Sequence, residues 1–129
     1  MARIIDRKKS DGYITKAENS LRISKIAIKE GAYDAAVMNA VHGAINSLDA
    51  LTTFFLGKRA SGAHTEVLSL IKGILTPREH EEIQKQFNTL LGMKNESEYQ
   101  PELMSLKNAE SAIKLAERIF ERVKAKIHS

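Results

Sequence analysis

The chain of 129 residues has no cysteine. Thiol nucleophiles, disulfides and thiolate-held metal clusters are therefore excluded. Tryptophan is absent too, and aromatic residues make up only 5% of the chain. They do not interleave with the basic residues, as single-strand nucleic-acid binding would favour. Only two prolines occur, Pro77 and Pro101, and both fall where a connection is expected. No run approaches 18 apolar residues without a charge, so no membrane-spanning helix is expected. The opening stretch, residues 1–9, lacks the apolar core of a signal peptide, and a cytoplasmic location is expected. No glycine-rich phosphate loop and no Gly-x-Ser-x-Gly elbow are present. No alternating strand pattern, internal repeat or low-complexity segment interrupts the chain.

The remainder reads as one domain, residues 1–129, with residues 1–10 as a flexible lead-in. Apolar residues at 43% and charged residues at 28% are ordinary for a globular domain. The net charge of +4 is mild. Bases gather at both ends, at Arg3, Arg7, Lys8 and Lys9, then at Arg118, Arg122, Lys124 and Lys126. Such clusters can hold phosphates. Solvated helix ends that offset a helix dipole are the plainer account.

Helical spacing of apolar residues marks a first helix from about Asp11 to Glu30, stopped at Gly31. A second runs from about Asp34, its expected cap, to Leu56, with Gly57 as stop. After a turn at 58–63, a short third helix covers about His64 to Leu75. Thr76-Pro77-Arg78-Glu79 then signals a helix start: a capping hydroxyl, proline at the first position, and glutamate three residues after the cap. That fourth helix is expected to reach Leu91, followed by Gly92 and a polar connection over 93–101. The last helix covers about Ser105 to Ile127. The fold class is all-α, an up-and-down antiparallel bundle of about five helices.

The second helix stands out. From Ala35 to Leu56 it holds no Lys, Arg or Glu, and Asp49 is its one formal charge. A helix with a face in water normally carries several long charged side chains. This one is therefore expected to be covered, at the bundle centre or at a subunit interface. Its polar residues Asn39, His42, Asn46, Asp49 and Thr53 recur at steps of three and four, which places them on one side. Two readings stand side by side. The row is a partly buried ligand site, with histidine as proton carrier and amides as donors and acceptors. Or it is a polar seam that fixes helix register through satisfied hydrogen bonds. The four histidines, His42, His64, His80 and His128, show no i, i+4 pair and no Glu-x-x-His, so no metal is expected. No cofactor is expected either, and His80 is expected to be exposed.

The run from Gly31 through Tyr33 and Asp34 to Leu51 resembles the second helix of HEPN domains, the higher eukaryotes and prokaryotes nucleotide-binding family. Residues 90–99 leading to Pro101, and then Ala109 to Glu117, are similar to that family's segment before and through its last helix. The likeness covers about residues 11–127. It implies a homodimeric helical bundle with a connection to nucleotides or RNA. It also implies toxin–antitoxin systems and small nucleotidyltransferase partners. Cutting members carry Arg, four to six residues, then His. Here the matching stretch runs from Lys94 and Asn95 to Tyr99, so lysine and tyrosine replace arginine and histidine. Lysine still holds phosphate as a point charge, but tyrosine, with a pKa of about 10, is a poor proton shuttle at neutral pH. Arg59 to His64 and Arg122 to His128 have the spacing but lie in other segments. With seven arginines and four histidines in the chain, such a match arises readily by chance.

The expectation is a non-catalytic nucleotide- or RNA-associated module acting as a homodimer, paired with a nucleotidyltransferase. Its ligand-facing candidates are Asn39, His42, Asn46, Asp49, Lys94, Asn95 and Tyr99, with Arg59 and His64 as weaker ones. The alternatives are a metal-independent endoribonuclease with a divergent site, or a purely structural interaction protein.

Overall fold

The computed structural model describes residues 2–61 and 64–129. Gly62 and Ala63, the end of the expected turn, lie outside the described residues. Five helices account for most of the chain: α1 (Ser10–Lys29), α2 (Tyr33–Leu56), α3 (Thr65–Ile71), α4 (Pro77–Tyr99) and α5 (Leu106–Ile127). The all-α bundle expected from the periodicity is the fold. Helix α2 packs against all four other helices. Val37, Val41, Ala44, Leu48 and Leu51 along it are fully buried. Most of its length is thus covered within one chain, though His42 and Phe54 stay exposed.

Small residues let α1 and α2 approach closely. A Cβ added at Gly43 would lie 3.0 Å from the Leu21 side chain. One turn away, Ser24 Oγ donates to the Ala36 carbonyl at 2.6 Å. Both expected glycine stops take the left-handed conformation, Gly31 at φ 75° and Gly57 at φ 62°. The capping box at Thr76 and Glu79 is complete, and Ser105 with Asn108 forms a second one before α5.

Three departures from the sequence pattern have identifiable causes. Helix α4 continues past Gly92 to Tyr99, because Gly92 does not take the left-handed turn. Lys94 and Glu98, one turn apart, form an ion pair at 3.0 Å that supports the extra turns. The helix ends at Gln100, whose extended backbone suits the residue before Pro101. Asp34, expected as the cap of α2, instead sits inside its first turn, with Ala32 at the cap position. Its carboxylate accepts from Ser97 Oγ at 2.6 Å and from the Met104 N–H at 3.0 Å. That ties the end of α4 and the following loop to the start of α2. The third departure is a short antiparallel ribbon where no strand was legible. It pairs β1 (Arg3–Ile4) with β2 (Lys58–Arg59), Arg3 opposite Arg59 and Ile4 opposite Lys58. Two residues are too few to show an alternating pattern, and the partners are far apart in sequence.

No helix among the described residues is long and apolar enough to cross a membrane.

Candidate functional site

The polar row of α2 runs from solvent into the protein. His42 is exposed, Asn39 and Asn46 are half-buried, and Asp49 and Thr53 are buried. The two amides turn onto their own helix: Asn39 Nδ2 donates to the Ala35 carbonyl and Asn46 Nδ2 to the His42 carbonyl, each at 2.9 Å. Thr53 Oγ1 is buried without a hydrogen-bond partner among the described residues.

Asp49 is the chemically unusual member. It is 7% exposed. Burial pushes its carboxyl up to about 6, against the opposing pull of the Arg59 and Lys16 charges. The carboxyl lies at a small cavity of about 130 Å³, whose polar lining is Asp49, Arg59, Ser61 and His64. Ile45, Val67 and Phe87 close its apolar side. Strand β2 brings Arg59 here, and His64 arrives as the residue just before α3. Burial holds the His64 imidazole below its usual range, helped by the positive charges of Lys94 and His42. At neutral pH the ring is therefore uncharged, able to donate through one nitrogen and accept through the other.

The structure thus brings together Asp49, Arg59 and His64, with the charges of His42 and Lys94 close enough to act on the ring. Lys94 is partly neutralised by Glu98, its ion-pair partner. Asn95 is exposed, Tyr99 is 74% exposed near the last turn of α4, and neither lines the cavity. Asn39 and Asn46 stand in the same row but outside the cavity lining. His80, expected in solvent, is half-buried instead, its Nε2–H donating to the Leu68 carbonyl at 2.8 Å. Lys16 was not singled out in the sequence, where it looks like an ordinary solvated lysine. In the fold it stands 5.7 Å from the centre of the Tyr13 ring. The Arg-x4-His spacing was the one sequence signal for the cavity, and spacing alone could not separate it from chance.

A larger groove of about 940 Å³ lies between α4 and α5. Two of its three cations are held by acidic neighbours within it. Arg122 pairs with Glu82 and Glu79, and Lys126 with Glu79. Among the described residues, no group of three or more His, Asp or Glu side chains is gathered as a metal site.

A family model described as HEPN domain matches residues 11–126. TT1696 from Thermus thermophilus is similar in structure, with a TM-score of 0.76 at 20% identity, over 92% of this chain and 98% of that one. ST0689, an archaeal HEPN homologue, is similar with a TM-score of 0.72 at 21% identity, over 92% of this chain and 97% of that one. At such identities the likeness to these two is one of fold. No curated protein matches the chain.

Proposed function

The chain belongs to the HEPN domain family, and from that premise we propose that it is a binding module for nucleotides or RNA, centred on the cavity of Asp49, Arg59 and His64. One observation carries the reading: Arg59 and His64 line the same cavity, beside a buried carboxyl on α2. A guanidinium offers a planar fork of donors to a phosphate. An uncharged imidazole can donate its N–H to a phosphate oxygen and accept from a ribose hydroxyl with its other nitrogen. Asp49 orients the cation rather than the anion, and the Lys94 charge is close enough to act on the His64 ring. In this reading the module works in the cytoplasm as a homodimer, paired with a nucleotidyltransferase, and does not itself cut. The family resemblance supports these last points, and light scattering that finds only monomer would remove the dimer.

Calorimetry with mononucleotides and short RNA, on the unmodified protein and on Arg59→Gln, tests the binding. Saturable binding that weakens in Arg59→Gln is the expected result. No heat from any of them at millimolar concentration sinks the reading.

A second reading has its own support. Arginine and histidine five residues apart, sharing one cavity, with the ring uncharged and ready to take a proton, suit a metal-independent endoribonuclease. Labelled RNA incubated in chelator decides it. Cleavage by the unmodified protein that disappears in His64→Ala establishes the enzyme. Cleavage that survives both His64→Ala and His42→Ala assigns it to another source.

A further inference from the structure

Both ends of β2 lead to cavities, and cations line the way between them. Arg59 lines the Asp49–His64 cavity and stands opposite Arg3 in the ribbon. The Ile5 N–H donates to the Gly57 carbonyl at 2.9 Å, which holds the chain ahead of α1 against the end of α2. Arg7 lies over Gly57, its Nε 3.4 Å from where a Cβ would stand. Arg7 and Lys8 then line a second cavity, of about 500 Å³, with Phe54, Phe55, Ser10 and Asp11. Phe54 is 37% exposed there, and its ring meets Phe55 edge to face at 4.9 Å between centroids.

The charge along this path is unspent. Arg3, Arg7, Lys8 and Lys58 are exposed, and none of them, nor Arg59, enters a salt bridge among the described residues. Two carboxylates lie close by. Asp6 accepts from the Lys8 backbone N–H, and Asp11 lines the second cavity. With Asp49 beside Arg59, five cations stand against three anions, which still leaves a net positive strip. At one end it has an exposed phenylalanine in a cavity within the volume range of ligand pockets. Cations that track a backbone, with an aromatic face for a base, are the features that hold single-stranded polynucleotides without reading sequence. The first cavity, about 130 Å³, has room for a phosphate but not for a whole nucleotide, and a stiff duplex offers no unstacked base to Phe54.

We propose that the ligand is an extended single-stranded polynucleotide, running from the Arg59–His64 cavity along the β1–β2 ribbon, with a base in the Arg7–Phe54 cavity. The proposal rests on the nucleotide- or RNA-binding reading above, and adds where the strand goes. Arg3, Arg7 and Lys8 meet its phosphates, and Phe54 stacks one base.

Fluorescence anisotropy tests it, with a labelled single-stranded 12-nucleotide RNA, the same sequence as DNA, a duplex of equal length, and AMP as competitor. The proteins are the unmodified chain, Arg59→Gln, the double variant Arg7→Gln/Lys8→Gln, and Phe54→Leu, which keeps an apolar side chain on α2. Tighter binding of both single strands than of the duplex is expected. The double variant should flatten the dependence of log affinity on log salt by about 1.4, two phosphates at about 0.7 each. Phe54→Leu should weaken the 12-mer about tenfold and leave AMP unchanged. A 12-mer that binds the Arg7→Gln/Lys8→Gln and Phe54→Leu variants as it binds the unmodified chain, yet is lost in Arg59→Gln, overturns the path and leaves the cavity reading standing. A duplex that binds as tightly as the single strand overturns the single-strand assignment. Failure of every nucleic acid and of AMP overturns both readings together.

Discussion

The α4–α5 groove and the ribbon end of the molecule carry the same kinds of cation in opposite circumstances. In the groove, Arg122 and Lys126 are held by Glu79 and Glu82. At the ribbon, Arg3, Arg7 and Lys58 have no such partners among the described residues, and Arg59 faces the Asp49 carboxyl without a salt bridge. The groove is the more spacious, about 940 Å³ against about 130 Å³ for the Arg59–His64 cavity. Volume therefore says little about which place binds an anion. A cation already neutralised by a neighbour gains less from a phosphate than one facing only water. The groove uses its charges to fasten two helices, and the ribbon end leaves them available.

Substitutions that strike one region and spare the other test this contrast. The largest expected effect is on affinity. Arg59→Gln should weaken RNA binding about a hundredfold, as loss of a charge-assisted bidentate contact does. Arg122→Gln should leave it within about twofold, since its cation is engaged elsewhere. Equal losses in the two titrations would erase the distinction.

The second effect separates two carboxylates by the sign of their pH dependence. Burial raises Asp49 to about 6 from 3.8. Between those values the folded protein holds a proton that the unfolded chain has released. Asp49 therefore lowers stability as pH rises from about 4 to 6, and the full deficit remains above that. Asp49→Asn should stabilise the protein by about 2 kcal/mol at pH 7 and leave it unchanged near pH 3.5. Glu79 behaves oppositely. The Thr76 backbone N–H bond and then Lys126 hold its carboxyl below its usual value. Its contribution is complete above pH 4.5 and is lost as the pH falls through its lowered value. Urea melts across pH 3 to 7 check both signs, and an Asp49→Asn curve parallel to the parent's would contradict the first.

Smaller effects follow. Arg122→Gln should cost about 1 kcal/mol of stability at low salt, and less at high salt, because its ion pairs are partly exposed and screened. A salt-independent loss would point to packing instead. Thr53→Val, which removes a buried hydroxyl without a partner among the described residues, should change stability by less than about 1 kcal/mol, in the stabilising direction. A clear loss in thermal melts would show that the hydroxyl has a partner in solution.

Much of the bundle was legible in the sequence. The stops at Gly31 and Gly57 and the capping box at Thr76 are local devices, and local devices can be read residue by residue. Gly92 misled because a glycine permits a left-handed turn without requiring one. Asp34 looked like a cap because its partners, Ser97 and Met104, are more than sixty residues away. The candidate site was only half legible. The row on α2 follows from spacing, but which members meet other segments does not. His42, Asp49 and Thr53 share a side of one helix, yet their exposure runs from open to buried.

By itself the sequence determined the helices, their order and the need to cover α2, because periodicity and missing charges are properties of a segment and its solvent. The tertiary structure alone decided that most of α2 is covered by its own chain. It also decided that Arg59, Asp49 and His64 line one cavity, and that Phe54 and Arg7 line another. Those encounters depend on strand pairing and helix packing between distant segments, for which no local pattern of residues carries a signal.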